Sequence, residues 1–220
     1  MKPYYQDDYA TVYHGDCREV LPELGKVDLV LTDPPYGVNL NPDNTRFSGG
    51  DSASVSRRGA GVASKDRMEI IGDDADFDPS FLLQYGKKQI IWGWNNYPDK
   101  LGRGACLVWI KKNDDAFGTF LGDAEVAFVS GGHGVFCHRD LSHTAEAHTR
   151  EHPSQKPLKL FAWCVEKYSK EGQTILDPFM GSGTTLRAAK DLQRKAIGIE
   201  MEEKYCEIAA KRLAQEVLEL

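Results

Sequence analysis

Several things are scarce in this chain, and each scarcity removes a class of protein. No apolar run approaches the 18 or so residues that a membrane span needs. The segment Met1-Lys2-Pro3-Tyr4-Tyr5-Gln6-Asp7-Asp8 holds no apolar signal-peptide core, so the expected location is cytoplasmic. The five cysteines, Cys17, Cys106, Cys137, Cys164 and Cys206, include no CxxC pair, which removes the zinc ribbon and the disulfide framework and leaves reduced core thiols. Bulk positive charge is also missing. With a formal net charge of -6, contact with nucleic acid has to rest on local clusters.

What is present is an ordinary globular composition of 220 residues, 41% hydrophobic and 27% charged. That length predicts a single domain over 1–220, able to bury about 70% of its unfolded surface. Apolar, β-rich runs at 10–14, 27–32, 89–92, 105–109, 124–129, 174–177 and 195–200 predict seven strands. Helical periodicity fits 17–24, 78–88, 157–169, 184–192 and 202–218. The alternation predicts a doubly wound α/β domain with helices on both faces of a mostly parallel sheet. Strands 105–109 and 124–129 leave little room for a crossover helix, which predicts an antiparallel pair at the sheet edge. Two stretches without periodicity, 38–67 and 130–151, read as substrate-facing loops. The first is basic and rich in Ser and Gly, with Arg46, Arg57, Arg58, Lys65 and Arg67 against Asp43, Asp51 and Asp66.

Two strand ends carry the chemistry. Late in the chain, Thr174-Ile175-Leu176-Asp177 runs into Pro178-Phe179-Met180-Gly181-Ser182-Gly183-Thr184-Thr185, a glycine turn opening a helix whose free N–H groups can face a polar ligand. A dinucleotide fingerprint needs a small residue where Leu186 stands, and the turn has no phosphate-binding lysine. A second strand ends in Glu200, where a carboxylate can accept both hydroxyls of a ribose, or serve only as an acid at a helix start. Early in the chain, Asp33-Pro34-Pro35-Tyr36 follows the buried run at 28–32. The prolines stiffen the backbone and remove two donors, so a carboxylate, a free carbonyl and an aromatic face are held together. That set suits an exocyclic amine on a planar heterocycle, although Asp-Pro-Pro is also good turn chemistry.

This ordered pair of motifs resembles the S-adenosylmethionine-dependent amino methyltransferases of DNA, which act on adenine N6 or cytosine N4. With the tetrapeptide first and the glycine turn last, it resembles their circularly permuted, β-type branch. Gly15-Asp16-Cys17, Trp94-Asn95-Asn96-Tyr97 and His152-Pro153-Ser154-Gln155-Lys156-Pro157 extend the likeness over nearly the whole chain. The resemblance implies a Rossmann-like methyltransferase fold and S-adenosylmethionine as cofactor. It implies that Asp33, Pro34, Pro35 and Tyr36 form the catalytic turn, with Tyr36 stacking on a base flipped out of double-stranded DNA. Asp177, Phe179, Gly181, Gly183 and Thr184 then cradle the methionine side of the cofactor, with Asp33, Pro178 and Ser182 as further cofactor-binding residues. Glu200 takes the ribose, Asp16 the adenine amine, the backbone at Cys17 the adenine ring, and the segment with Lys156 packs against the cofactor. Arg139 and Arg150 lie where such enzymes place target recognition and join the basic loop as candidate DNA contacts.

No Pro-Cys dipeptide occurs, which argues against a C5-cytosine enzyme. Aspartate at the head of the tetrapeptide is commoner in the adenine-specific enzymes, so adenine N6 is the expected target, with cytosine N4 or a catalytically silent binding module as alternatives. The small size leaves little room for a separate recognition domain, which is compatible with a homodimer. His133, His138, His143 and His148 recur every five residues, a step that does not keep ligands on one helical face, and no metal is expected.

Overall fold

In the computed structural model, residues 1–37, 76–97, 99–119, 122–142 and 155–215 are described. The chain separates into two compact units, Met1–Pro34 with Asp78–Leu220, and Pro35–Phe77. Of the second unit only 35–37 and 76–77 are described, so the expected loop at 38–67, with Arg46, Arg57, Arg58, Lys65 and Arg67, lies outside the described residues, as does Arg150.

Among the described residues, eight strands form one sheet: β1 (Tyr5–Gln6), β2 (Ala10–His14), β3 (Val27–Thr32), β4 (Gly86–Trp92), β5 (Gly104–Ile110), β6 (Ala124–Arg139), β7 (Thr174–Asp177) and β8 (Lys195–Glu200). Their order is β1-β2-β8-β7-β3-β4-β6-β5. From β2 to β4 the pairing is parallel, with Leu29 beside Ile175 and Val30 beside Leu176 where β3 meets β7. The chain leaves β7 toward β8 in one direction and β3 toward β4 in the other. Their shared carboxyl ends are therefore a topological switch point, the usual place for a ligand in an open α/β sheet.

Burial explains the hydrophobic continuity of these strands. Leu29 and Leu31 join a core cluster with Ile90, Leu107 and Ile175, while Val30, from the opposite face of β3, is equally inaccessible. Both faces of the sheet are covered, as the near-continuous apolar runs require. Each such aliphatic side chain contributes roughly 1.5–3 kcal/mol of burial free energy. Three helices add their apolar stripes to the cluster: α2 (Leu158–Tyr168) through Leu160, Phe161, Cys164 and Val165, α3 (Thr184–Asp191) through Leu186, Ala188 and Ala189, and α4 (Glu203–Ala214) through Cys206, Ala209 and Leu213.

The departures from the sequence reading have local causes. The helix expected at 17–24 is α1 (Cys17–Val20) followed by a 3-10 turn, Leu21–Glu23, where Pro22 removes a donor. The helix expected at 78–88 is a 3-10 segment, Pro79–Gln84, and the chain is already in β4 at Gly86. A Cβ on Gly86 would lie 2.9 Å from the Val30 side chain and 2.7 Å from the Lys88 carbonyl, so this glycine marks a close strand approach rather than a helix end. The loop expected from 130 is strand as far as Arg139. Strand β6 doubles back on itself at Gly131 and Gly132, whose φ values are 68° and 85°. Its first limb pairs antiparallel with β4 and runs along β5 in descending register, Ala105 beside Val129 and Ile110 beside Ala124; its second limb runs parallel to β5, Leu107 beside Phe136 and Ile110 beside Arg139. The expected pairing of 105–109 with 124–129 in opposite directions is thus present in the last two strands of the sheet, β6 lying between β4 and β5, and at the other edge β1 is antiparallel to β2.

Candidate functional site

The two motifs meet because β3 and β7 are neighbours. Thr32, the last residue of β3, donates its hydroxyl to Asp177 Oδ1 at 2.7 Å, and the Phe179 amide donates to the same oxygen at 3.1 Å. Thr185, from the first turn of α3, donates its hydroxyl to Asp177 Oδ2. Asp177 is 3% exposed, and burial, opposed by these hydrogen bonds, pushes its carboxyl up to about 6, with the charge of Asp33 acting in the same direction as burial. One side chain therefore ties the end of β3, the turn and the start of α3 together.

The turn itself is shaped by its glycines. Gly183 has φ 79°, and a Cβ there would lie 2.8 Å from the Ala209 Cβ, so its bareness serves packing against α4 as well as the turn. Gly181 donates its amide to Glu200 Oε2 at 3.1 Å, while the Glu202 amide reaches Glu200 Oε1 at 2.8 Å. Burial raises the Glu200 carboxyl above its ordinary value despite these two donors. A carboxylate has roughly four lone-pair sites, so Glu200 retains acceptor capacity after both bonds. Ser182 donates its hydroxyl to Gln155 at 3.0 Å and receives Arg212 Nη1 on its carbonyl at 2.8 Å, which anchors the turn to the segment before α2 and to α4.

On the other side of the junction stands Asp33. Its carboxylate pairs with the Lys156 ammonium, which lies 3.3 Å from Glu125 Oε2 as well. Tyr97, wholly buried, directs its hydroxyl to the Pro34 carbonyl at 3.4 Å. A pocket opens here, lined by Asp33, Lys156, Phe179, Met180 and Gly181, with Asp177, Ser182, Thr184, Thr185, Gln155 and Phe161 completing its described lining.

Residues 91–211 match the family of N6/N4 methyltransferases described as DNA methylases. The chain belongs to this DNA methylase family. It is 44% identical to the type II methyltransferase M.HinfI of Haemophilus influenzae, over 98% of this chain and 71% of that protein. It is 27% identical to the type II methyltransferase M2.DpnII of Streptococcus pneumoniae, over 98% of this chain and 93% of the relative. Among solved structures, the M1.HpyAVI complex with S-adenosylmethionine covers 94% of this chain and 100% of its own at TM-score 0.56 and 21% identity. The cytosine-N4-specific PvuII DNA methyltransferase covers 99% of this chain and 91% of its own at TM-score 0.61 and 15% identity. These structural likenesses speak for the Rossmann-like fold.

A DNA methylase takes its methyl group from S-adenosylmethionine, and the pocket's lining suits that molecule: the polar side chains of Asp33, Ser182 and Thr184 beside an apolar wall from Phe179 and Met180, with the Glu200 carboxylate next to it on the Gly181 amide at the end of β8. Of the expected cofactor residues, Asp33, Lys156, Asp177, Phe179, Gly181, Ser182 and Thr184 line one pocket and Glu200 braces it. Asp16 and Cys17 lie at the end of β2, joined to this region where the Gly15 amide donates to the Glu200 carbonyl at 2.9 Å. The Asp16 carboxylate caps α1 by accepting the Arg18 amide at 2.8 Å. Burial pushes the Cys17 thiol up to about 12, which suits a packing residue. Pro35 and Tyr36 open the second unit of the methylase, directly after Asp33 and Pro34. Arg139, at the end of β6, pairs with Asp114 at 2.6 Å on the surface. His138 stacks on Trp163 with ring centres 4.7 Å apart, so this member of the histidine series packs against α2.

Four residues carry roles that the sequence did not assign. Thr32 and Thr185 were signalled only by hydroxyls adjoining the motifs. Tyr97 was signalled by the Trp-Asn-Asn-Tyr run without a role, and Glu125 was not signalled at all.

Proposed function

We propose that the methylase transfers the methyl group to the N6 amine of an adenine flipped out of double-stranded DNA, acting in the cytoplasm, with the tetrapeptide-first, circularly permuted motif order. The observation that carries this reading is the Thr32 to Asp177 hydrogen bond, which fixes the Asp33 turn beside the glycine turn at the switch point. In this reading Phe179, the Gly181 turn and Thr184 hold the methionine side of the cofactor and Glu200 its ribose. The cofactor supplies a methyl group activated on a sulfonium.

The remaining chemistry belongs to the chain. An amine conjugated to a purine ring is a poor nucleophile because its lone pair is delocalised. The Asp33 carboxylate and the Pro34 carbonyl accept its two N–H groups, draw the nitrogen toward a tetrahedral shape and stabilise the positive charge that develops there; as the new N–C bond forms at the expense of the methyl group's bond to sulfur, Asp33 takes the surplus N–H proton and passes it to water. Tyr97, which donates its hydroxyl to the Pro34 carbonyl, helps to orient it. Tyr36 offers a ring on which the extruded base can stack, offsetting part of the few kcal/mol that flipping costs. Holding the two reactants in line is the largest share of the work.

Incubation with tritiated S-adenosylmethionine and unmethylated mixed-sequence duplex DNA, followed by nucleoside chromatography, tests the reading. Label in N6-methyladenine is the expected result. Label in N4-methylcytosine would move the target to cytosine, and no labelled nucleoside would reject the proposal.

A further inference from the structure

We propose that Glu125 is a positioning residue that draws Lys156 away from Asp33 when the target amine arrives. This rests on the reading of Asp33 as the acceptor for that amine.

The difficulty it resolves is that Asp33 is already engaged. Its Oδ2 bonds the Lys156 ammonium, and a carboxylate neutralised by an ammonium pulls weakly on an incoming N–H. Lys156 has a second acceptor in reach. Glu125 Oε1 is bonded by Lys111 at 2.9 Å, but Glu125 Oε2 is shut off from solvent and has no hydrogen-bond partner among the described residues, meeting Lys156 only as an ion pair at 3.3 Å. A buried acceptor met only at that length is under-satisfied, which is costly, and Lys156 can turn to it on a flexible four-carbon stem, lengthening its contact with Asp33 as it does so. That movement strengthens Glu125 as a partner and Asp33 as an acceptor together.

The fold explains why a carboxylate stands there. The first limb of β6 is antiparallel to β4, with Trp92 beside Ala127, so its amino-terminal residue pair Ala124-Glu125 lies at the carboxyl ends of the parallel strands. Burial alone would raise the Glu125 carboxyl, but the ammonium groups of Lys156 and Lys111 outweigh it and hold the group below its ordinary value, charged at neutral pH. The charges alternate from Lys111 through Glu125 and Lys156 to Asp33.

The test is a double-mutant cycle on the full chain, read by single-turnover transfer from tritiated S-adenosylmethionine to unmethylated mixed-sequence duplex DNA. Glu125→Gln should slow transfer by about ten-fold while the calorimetric cofactor Kd stays within about two-fold. In a Lys156→Gln background the same change should alter the rate by less than about two-fold, because no ammonium remains to be drawn away. Equal losses in both backgrounds would show a merely structural Glu125, and an undiminished rate in Glu125→Gln would remove its role. Loss of all transfer in Lys156→Gln at saturating S-adenosylmethionine would also overturn the proposal, since Lys156 would then be needed at Asp33. If the amide variant lacks a cooperative melt, Glu125→Asp, which keeps the charge but draws it back, must show the same dependence on Lys156. Failure of the wild-type chain to label any amino group would reject the underlying function, whereas a working wild type with an indifferent Glu125 rejects only this inference.

Discussion

Asp33 and Asp177 end neighbouring strands of the same sheet, yet the chain treats them in opposite ways. Asp177 is sealed, with two hydroxyls and an amide of the protein bound to its oxygens. Asp33 is 14% exposed at its side chain, faces the pocket, and is held by a lysine that has somewhere else to go. An amide fixed in the backbone and the short side chains of two buried threonines have little room to leave, whereas a lysine on a long flexible stem does. The first carboxylate is built to hold a turn and the second to change partners, and the two roles follow from what satisfies each group.

The largest effect should come from separating these roles by mutation. Asp33→Ala should lower kcat by about 10³-fold, on the order of 4 kcal/mol of transition-state stabilisation, with cofactor binding by calorimetry largely retained. If cofactor binding disappears with activity, the assignment of the working acid is wrong and the contrast with Asp177 collapses.

Asp177 should respond in stability instead, and with a definite sign against pH. Its folded carboxyl is raised to about 6 from 3.8, so between those values the folded state binds more protons than the unfolded state and stability falls as pH rises. The cost is fully absent below about pH 4 and amounts to roughly 3 kcal/mol above pH 6. Asp177→Asn keeps the shape, carries no charge, and leaves Thr185 free to turn its hydroxyl into an acceptor. Urea unfolding at pH 4, 5, 6 and 7 should show wild type losing stability relative to this variant across that window. A constant gap would mean that Asp177 is not the desolvated group described.

Much of this was legible in sequence where chemistry and chain position coincide. Strands β2, β3, β7 and β8 follow from their apolar runs, and the turn at Asp177 from its glycines. What sequence could not give is adjacency. Thr32 and Asp177 are 145 positions apart, and only the β3 to β7 pairing puts a hydroxyl under a carboxylate. Glu125 is more instructive: one acid near the start of a strand carries no signal of its own, and its reach to Lys156 depends on β6 entering the sheet antiparallel between β4 and β5. The same doubling back consumed residues 130–139, which read as loop because Gly131, Gly132 and Gly134 interrupt any period-2 pattern.

The smallest effect tests the edge of the sheet against its centre. Arg139 ends β6 and pairs with Asp114, whose side chain is 83% exposed, so water screens the pair and Arg139→Ala should change unfolding free energy by less than about 0.5 kcal/mol. At the centre, an ion pair of similar length between Lys156 and Asp33 is part of the working site. If Arg139 contributes to DNA binding through a phosphate, the variant should bind duplex DNA more weakly irrespective of sequence, and the slope of log K against log salt should fall by about one. Fluorescence anisotropy over a salt series reads both quantities. An unchanged slope would leave Arg139 as a surface partner of Asp114 and confine DNA contacts to other parts of the chain.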